Sequence, residues 1–189
     1  MEKVLKLDVW LDRAIKQADN KGIMSGWLHE RRLEIVPLFR QTLRHIIDGG
    51  SVILLTDAQH EWLGNYITQH INPPNKTRPF FPIYELSSLG FIIDKSLKDA
   101  ESKVFSMIVN MLNLSFKKYT FWYIGRRNPR ADFVLSQHYS FVWLIDENLP
   151  KAFNLSSSDE LLDYKLLQLY KLFENALCAS AFGQISLEF

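Results

Sequence analysis

The side chains of this sequence best suited by type and spacing to do chemistry are three arginines. Arg126, Arg127 and Arg130 lie together in the segment Gly-Arg-Arg-Asn-Pro-Arg. Guanidinium forks gathered this way are candidates to grip an anion, because each offers planar N–H donors to a phosphate or carboxylate. The plain alternative is a solvated basic loop. Other reactive groups stand apart from one another. The five histidines, His29, His45, His60, His70 and His138, include no pair four residues apart with a glutamate beside one, so no metal site is expected. Cys178 is the sole cysteine, which excludes an internal disulfide and a cysteine-rich zinc site and fits a reducing cytosol. No histidine neighbours it in sequence, so it is not read as a nucleophile.

The frame around these groups follows from periodicity. Residues 4–20 are expected to be helical, with Val4, Leu7, Leu11, Ala14, Ile15 and Ala18 on one face and Asn20-Lys21-Gly22 as the stop. A second helix is expected from about Ser25 to Ile47, kinked or broken at Pro37 and ended by Asp48-Gly49-Gly50. Ser51–Leu55 is a short, uniformly apolar run, as in a strand buried on both faces. A helix follows at once, from Thr56 or Asp57 through about Ile71, with either residue as its cap. After the breaker Asn72-Pro73-Pro74-Asn75, Phe80–Leu86 reads as a second strand. Residues 97–112 read as a helix on Leu97, Ala100, Val104, Ile108 and Met111. Thr120–Ile124 and Tyr139–Ile145 are the third and fourth strands, with a short helix from Pro129 between them. Ala152–Leu155 is a fifth, short strand. Phe121-Trp122-Tyr123 is read as core rather than as a stacking platform for bases.

Strands alternating with helices imply a parallel sheet covered on both faces, here with extra N-terminal helices. Ligands of such sheets bind beyond the carboxyl ends of the strands. There the run Thr56-Asp57-Ala58-Gln59-His60 has no glycine and so no backbone cradle for phosphate. His60 at a helix start is read as structural.

The chain has 189 residues, of which 47% are hydrophobic and 23% charged, and is read as one domain spanning residues 1–189. A net charge of +1 argues against direct nucleic-acid binding. The amphipathic N-terminus carries acids, unlike a signal peptide, and no apolar run approaches the roughly 18 residues of a membrane span, so a cytoplasmic protein is expected.

The last helix is apolar on more than one side. Leu162, Leu166, Leu169, Phe173, Ala176 and Leu177 form one set and Leu161, Leu167, Tyr170, Leu172 and Cys178 another. Ser157 and Glu160 match a capping box at its start. Such a helix is either a central core helix or one whose spare face meets another subunit or a partner.

Three blocks resemble the sugar-isomerase (SIS) fold: Ala58-Gln59-His60 after the first strand, Arg78-Pro79 with Pro82 and Ile83 before the second, and Glu174-Asn175-Ala176-Leu177 late in the last helix. Nearly the whole chain resembles the HobA family, the counterpart in some bacteria of the initiator-associating protein DiaA. Leu161 to Leu177 carries that likeness most specifically, with Ser25-Gly26-Trp27-Leu28 and Asp48-Gly49-Gly50-Ser51 in support. The sequence departs from the isomerases where their chemistry resides. The first phosphate loop is shortened to Thr56-Asp57, and the second reads Gly125-Arg126-Arg127. Leu162 falls where the isomerase histidine stands, although Glu160 matches the neighbouring glutamate. The resemblance therefore implies an α/β, Rossmann-like SIS fold in a protein that is not an enzyme and uses no cofactor. Its implied role is that of an adaptor binding the N-terminal domain of the replication initiator DnaA and promoting ordered initiator assembly at the origin. It further implies a homotetramer, a dimer of dimers. By the same resemblance the partner surface includes Leu177 and Cys178; Phe173, Glu174 and Phe182, about one helical turn to either side, are expected on it too, with Glu174 on its rim. The alternative is a phosphosugar-binding or isomerising SIS protein whose anion site is rebuilt from Arg126, Arg127 and Arg130.

Overall fold

The computed structural model describes residues 4–74, 78–96 and 102–188. A two-residue strand β1 (Leu5–Lys6) leads into α1 (Leu7–Asn20), which ends as Gly22 turns the backbone to φ +78°. The short α2 (Gly26–Glu30) and the longer α3 (Arg32–Ile47) follow. Then come β2 (Ser51–Thr56), α4 (Glu61–Ile71), β3 (Ile83–Glu85), α5 (Ser87–Ser96) and α6 (Ser102–Ser115). The chain continues through β4 (Tyr119–Arg126), α7 (Pro129–Leu135), β5 (Ser140–Ile145), β6 (Phe153–Leu155), α8 (Leu162–Ala181) and β7 (Ile185–Ser186).

Five of the strands form one parallel sheet in the order β3-β2-β4-β5-β6. Chain order reverses direction between β2 and β4, which makes their carboxyl ends the switch point of a doubly wound fold. Alternation along the strands sends side chains to two cores. Val52, Leu54, Trp122, Ile124, Phe141, Trp143 and Ile145 face α1, α3, α4 and α8. Ile53, Leu55, Phe121, Tyr123, Val142 and Leu144 face α5, α6 and α7. The first core is rich in aromatic contacts: Phe173 of α8 lies 5.1 Å from both Trp122 and Phe141, and 5.2 Å from Phe39 of α3.

Several expectations need correction. Val4 to Lys6 is not helical. Leu5 and Lys6 pair in parallel with Ile185 and Ser186, closing a second sheet of two strands. The break in the second helix falls at Arg31, and α3 runs on through Pro37. Proline there deprives only the Leu33 carbonyl of its partner, and Leu33 is exposed to water. The helix after β2 starts at Glu61, not at Thr56 or Asp57. Only Ile83–Glu85 of the second predicted strand pairs, while β4 extends to Arg126. The expected helix from residue 97 has its first residues, Leu97 and Ala100, outside the described residues; α5 and α6 stand on either side. Ser157 and Glu160 form no capping box. The helix begins at Leu162, and the turn before it is held by the Asp159 carboxylate accepting the Leu161 N–H at 2.9 Å.

Candidate partner interface

The switch-point crevice is filled by the protein itself. Asp57 follows β2 and projects across to β4. One carboxylate oxygen accepts the backbone N–H of Arg126 at 2.7 Å; the other accepts the His60 backbone N–H at 2.9 Å and its ring Nδ1–H at 2.6 Å. Burial pushes the Asp57 carboxyl up, but the His60 and Arg126 donors outweigh it and hold it below the usual carboxylate range. Gly125 sits opposite with φ +148°, and a Cβ there would stand 2.5 Å from the Asp57 carboxyl carbon. These N–H donors, which in a ligand site would meet an anion, already hold one belonging to the chain.

The three arginines do not form an anion grip. Arg126 Nε donates to Asp146 at 2.9 Å. Arg127 Nε donates to Asp132 at 2.7 Å, and its guanidinium also reaches Glu147 at 3.4 Å. Arg130 donates to Asp94 at 2.7 and 3.0 Å and to the Thr56 carbonyl at 2.8 Å, with Glu61 at 3.9 Å. Each positive charge is thus met by carboxylates. Gly90 leaves room for the Arg130 guanidinium, which a Cβ would approach to 2.8 Å. Apart from Asp132, five residues from Arg127, these partners lie 20 or more residues away in the chain, so the local sequence does not show the balance.

The last helix is a core helix over most of its length. Phe173 and Leu177, two of the residues named for partner binding, are fully buried within this chain and cannot touch a partner on the folded surface. Glu174 is also buried rather than on a rim. Its carboxylate oxygens accept Arg78 Nη1 at 2.8 Å and Lys171 Nζ at 2.9 Å. Burial pushes the Glu174 carboxyl up, but these two cations outweigh it and hold it below its ordinary value. Arg78 also donates to the carbonyls of His70 and Ile71, closing the end of α4, and to Cys178 Sγ at 3.3 Å. The cluster ties the segment before β3 to α8.

Two of the five named residues do reach the surface. Phe182, just past α8, is 58% exposed, and Cys178 is half-buried one turn before it. Both line a groove of about 420 Å³ between the ends of α1 and α8. Trp10, Ala14, Ala18 and Ile23 form its opposite wall, with Gln17, Lys21, Asn175 and Gln184 supplying polar edges. An apolar floor with a polar rim is the make-up of a protein-binding groove. Sequence reasoning missed the α1 wall. Its signal was Ile23, an apolar residue placed just after the helix stop.

The profile of the HobA family, described as a DNA replication regulator, matches residues 1–187. The DNA replication regulator protein HobA of Helicobacter pylori (strain ATCC 700392 / 26695) is 31% identical over 182 residues, covering 94% of this chain and 97% of that protein. Among solved structures, a chain of the HobA–DnaA (domain I-II) complex from Helicobacter pylori superposes with a TM-score of 0.74 at 29% identity, over 96% of this chain and 98% of that one. A crystal structure of HobA from the same organism gives 0.71 at 28% identity, over 96% of this chain and 99% of that one. With a family match along almost its whole length and a curated relative above 30% identity, this chain belongs to the HobA family of DNA replication regulators.

Proposed function

We propose that this protein is a non-enzymatic adaptor of the cytoplasm. One domain, spanning residues 1–189, binds the N-terminal domain of DnaA and promotes its ordered assembly at the chromosomal origin. The observation that carries the non-enzymatic part is the crevice closed by Asp57, His60 and Arg130, where a parallel sheet of this order would otherwise receive its ligand. The partner comes from the related structure in complex with DnaA domains I-II. The docking site is the groove bounded by Trp10, Ile23, Cys178 and Phe182. The chain acts as a homotetramer, a dimer of dimers. A symmetric assembly carrying several modest sites raises the local concentration of several initiators at once, without chemistry.

The test is calorimetric titration of the purified protein with the N-terminal domain of its own DnaA, alongside titration with sedoheptulose 7-phosphate. Saturable heat with the DnaA domain, weakened by Phe182→Ala, supports the reading. Heat with the sugar phosphate alone would overturn it in favour of a phosphosugar-binding protein. The neutralised state of Arg126, Arg127 and Arg130 speaks against that outcome.

A further inference from the structure

We propose that the outer face of α6, continued by Tyr84 on β3 and Phe91 on α5, is the surface through which two copies of this chain pair. The proposal rests on the multi-copy reading above and gives it a place in the fold. α6 buries Ile108 and Leu112 against the sheet, yet Met107, Met111 and Leu114 are 49%, 52% and 90% exposed. Their spacing puts them on one stripe, the pattern of a helix with a second apolar face. From Val104 to Phe116 the sequence has no charged residue at all. Between Pro79 and Ile93 it has one, Glu85. The stripe ends near Phe116, whose ring centroid lies 5.7 Å from that of Tyr84 on the edge strand β3. Phe91 adds an aromatic ring, 67% exposed, on the helix packed beside α6.

Area and charge decide what covers this face. Met107, Met111, Leu114, Tyr84 and Phe91 together expose roughly 600 Å² of side chain, at the top of the range for the largest apolar patch on a monomer. A standard interface buries about 800 Å² per partner, of which about 60% is apolar, so the patch is large enough for one. Under a two-fold axis each residue near the centre meets its own equivalent, and any charge there meets its like. The uncharged stretch Val104–Phe116, placed at the centre of such an interface, suits its own copy, and it offers nothing for a charged partner to complement.

Sedimentation velocity on the full chain across a concentration series tests this. Wild type is expected at an even multiple of 22.1 kDa. Met111→Glu/Leu114→Glu should sediment at half that mass or less at the same concentration, with an unchanged far-ultraviolet circular dichroism spectrum. The milder Met111→Gln/Leu114→Gln should raise the concentration for half-dissociation at least tenfold. Phe182→Glu, on the other groove, should leave the mass unchanged. A wild type at the mass of one chain overturns the proposal, as does a glutamate variant that keeps the wild-type mass. So does a glutamate variant that keeps its mass and loses DnaA binding, since the face would then belong to the partner. DnaA binding by a one-chain wild type would leave the adaptor reading standing and this interface refuted.

Discussion

The two faces of the sheet are built differently. On one, α1, α3, α4 and α8 enclose a core containing Phe39, Trp122, Phe141, Trp143 and Phe173, and the outer sides of those helices carry charges such as Asp12, Lys16, Arg32 and Glu34. On the other, α5, α6 and α7 cover a smaller core, and the outer side of α6 exposes an apolar stripe of Met107, Met111 and Leu114. The final helix is apolar on more than one side, yet nearly all of it is consumed inside its own chain because helices flank it. α6 is also strongly apolar, but it lies at the periphery and has one apolar stripe more than the sheet can cover. How much apolar surface a helix leaves for a partner depends on its position in the layers, not on its composition alone.

The contrast can be broken by mutation. The largest loss should come from Phe173→Ala on the thick face, about 3–5 kcal/mol by urea unfolding, because the ring meets three aromatic neighbours that cannot all collapse inward. Leu177→Ala should cost about 2–5 kcal/mol in the same assay while leaving DnaA affinity of the folded protein unchanged, as a core residue requires.

Arg78→Ala should cost about 3 kcal/mol, since it takes a buried guanidinium away from the buried Glu174 carboxylate. The same pair sets a pH dependence. The Glu174 carboxyl lies below its ordinary value of 4.5 in the folded protein, so its contribution is complete above that value and is lost as the pH falls through the lower folded one. Melting temperatures measured at pH 7, 5, 4 and 3 should therefore drop toward acid, and Glu174→Gln should flatten that drop.

Phe182→Ala should leave stability within about 0.5 kcal/mol while weakening DnaA binding by about 1–2 kcal/mol in calorimetry. The smallest effect on fold is expected from Met107→Ala, within about 0.5 kcal/mol in unfolding measured at concentrations low enough to favour single chains. A larger loss there would mean that α6 is anchored from outside.

The parallel sheet was legible because its central strands are unbroken apolar runs. Ser51–Leu55 and Thr120–Ile124 are what strands buried on both faces must look like, and both lie within β2 and β4. The helix preceded by Asn128-Pro129 was legible from its own chemistry, since Asn128 accepts the Ala131 N–H and proline costs nothing at the first position. The two-residue strands β1 and β7 were not legible, because a pairing that short leaves no periodicity. The candidate site was legible only in part. Cys178 was named from the family resemblance and Phe182 from its place one helical turn on, but whether Leu177 faced out or in depended on α1 and α3, which no local pattern could place. The closure of the crevice was half visible: the missing glycines excluded a phosphate cradle, while the reach of Asp57 to Arg126 is a long-range contact.

The pairing of Leu5 with Ile185 brings together nearly the two extremes of the described chain. During synthesis, Leu7, Leu11 and Ile15 of α1 emerge long before α8 and β7, which help to bury them. α1 must therefore wait, amphipathic and uncovered, until those elements have been made. Contacts of that separation slow folding and lengthen the exposure of apolar surface. In a nascent chain stalled before residue 160, α1 should be open to protease, and it should become protected only once Ile185 has cleared the exit tunnel.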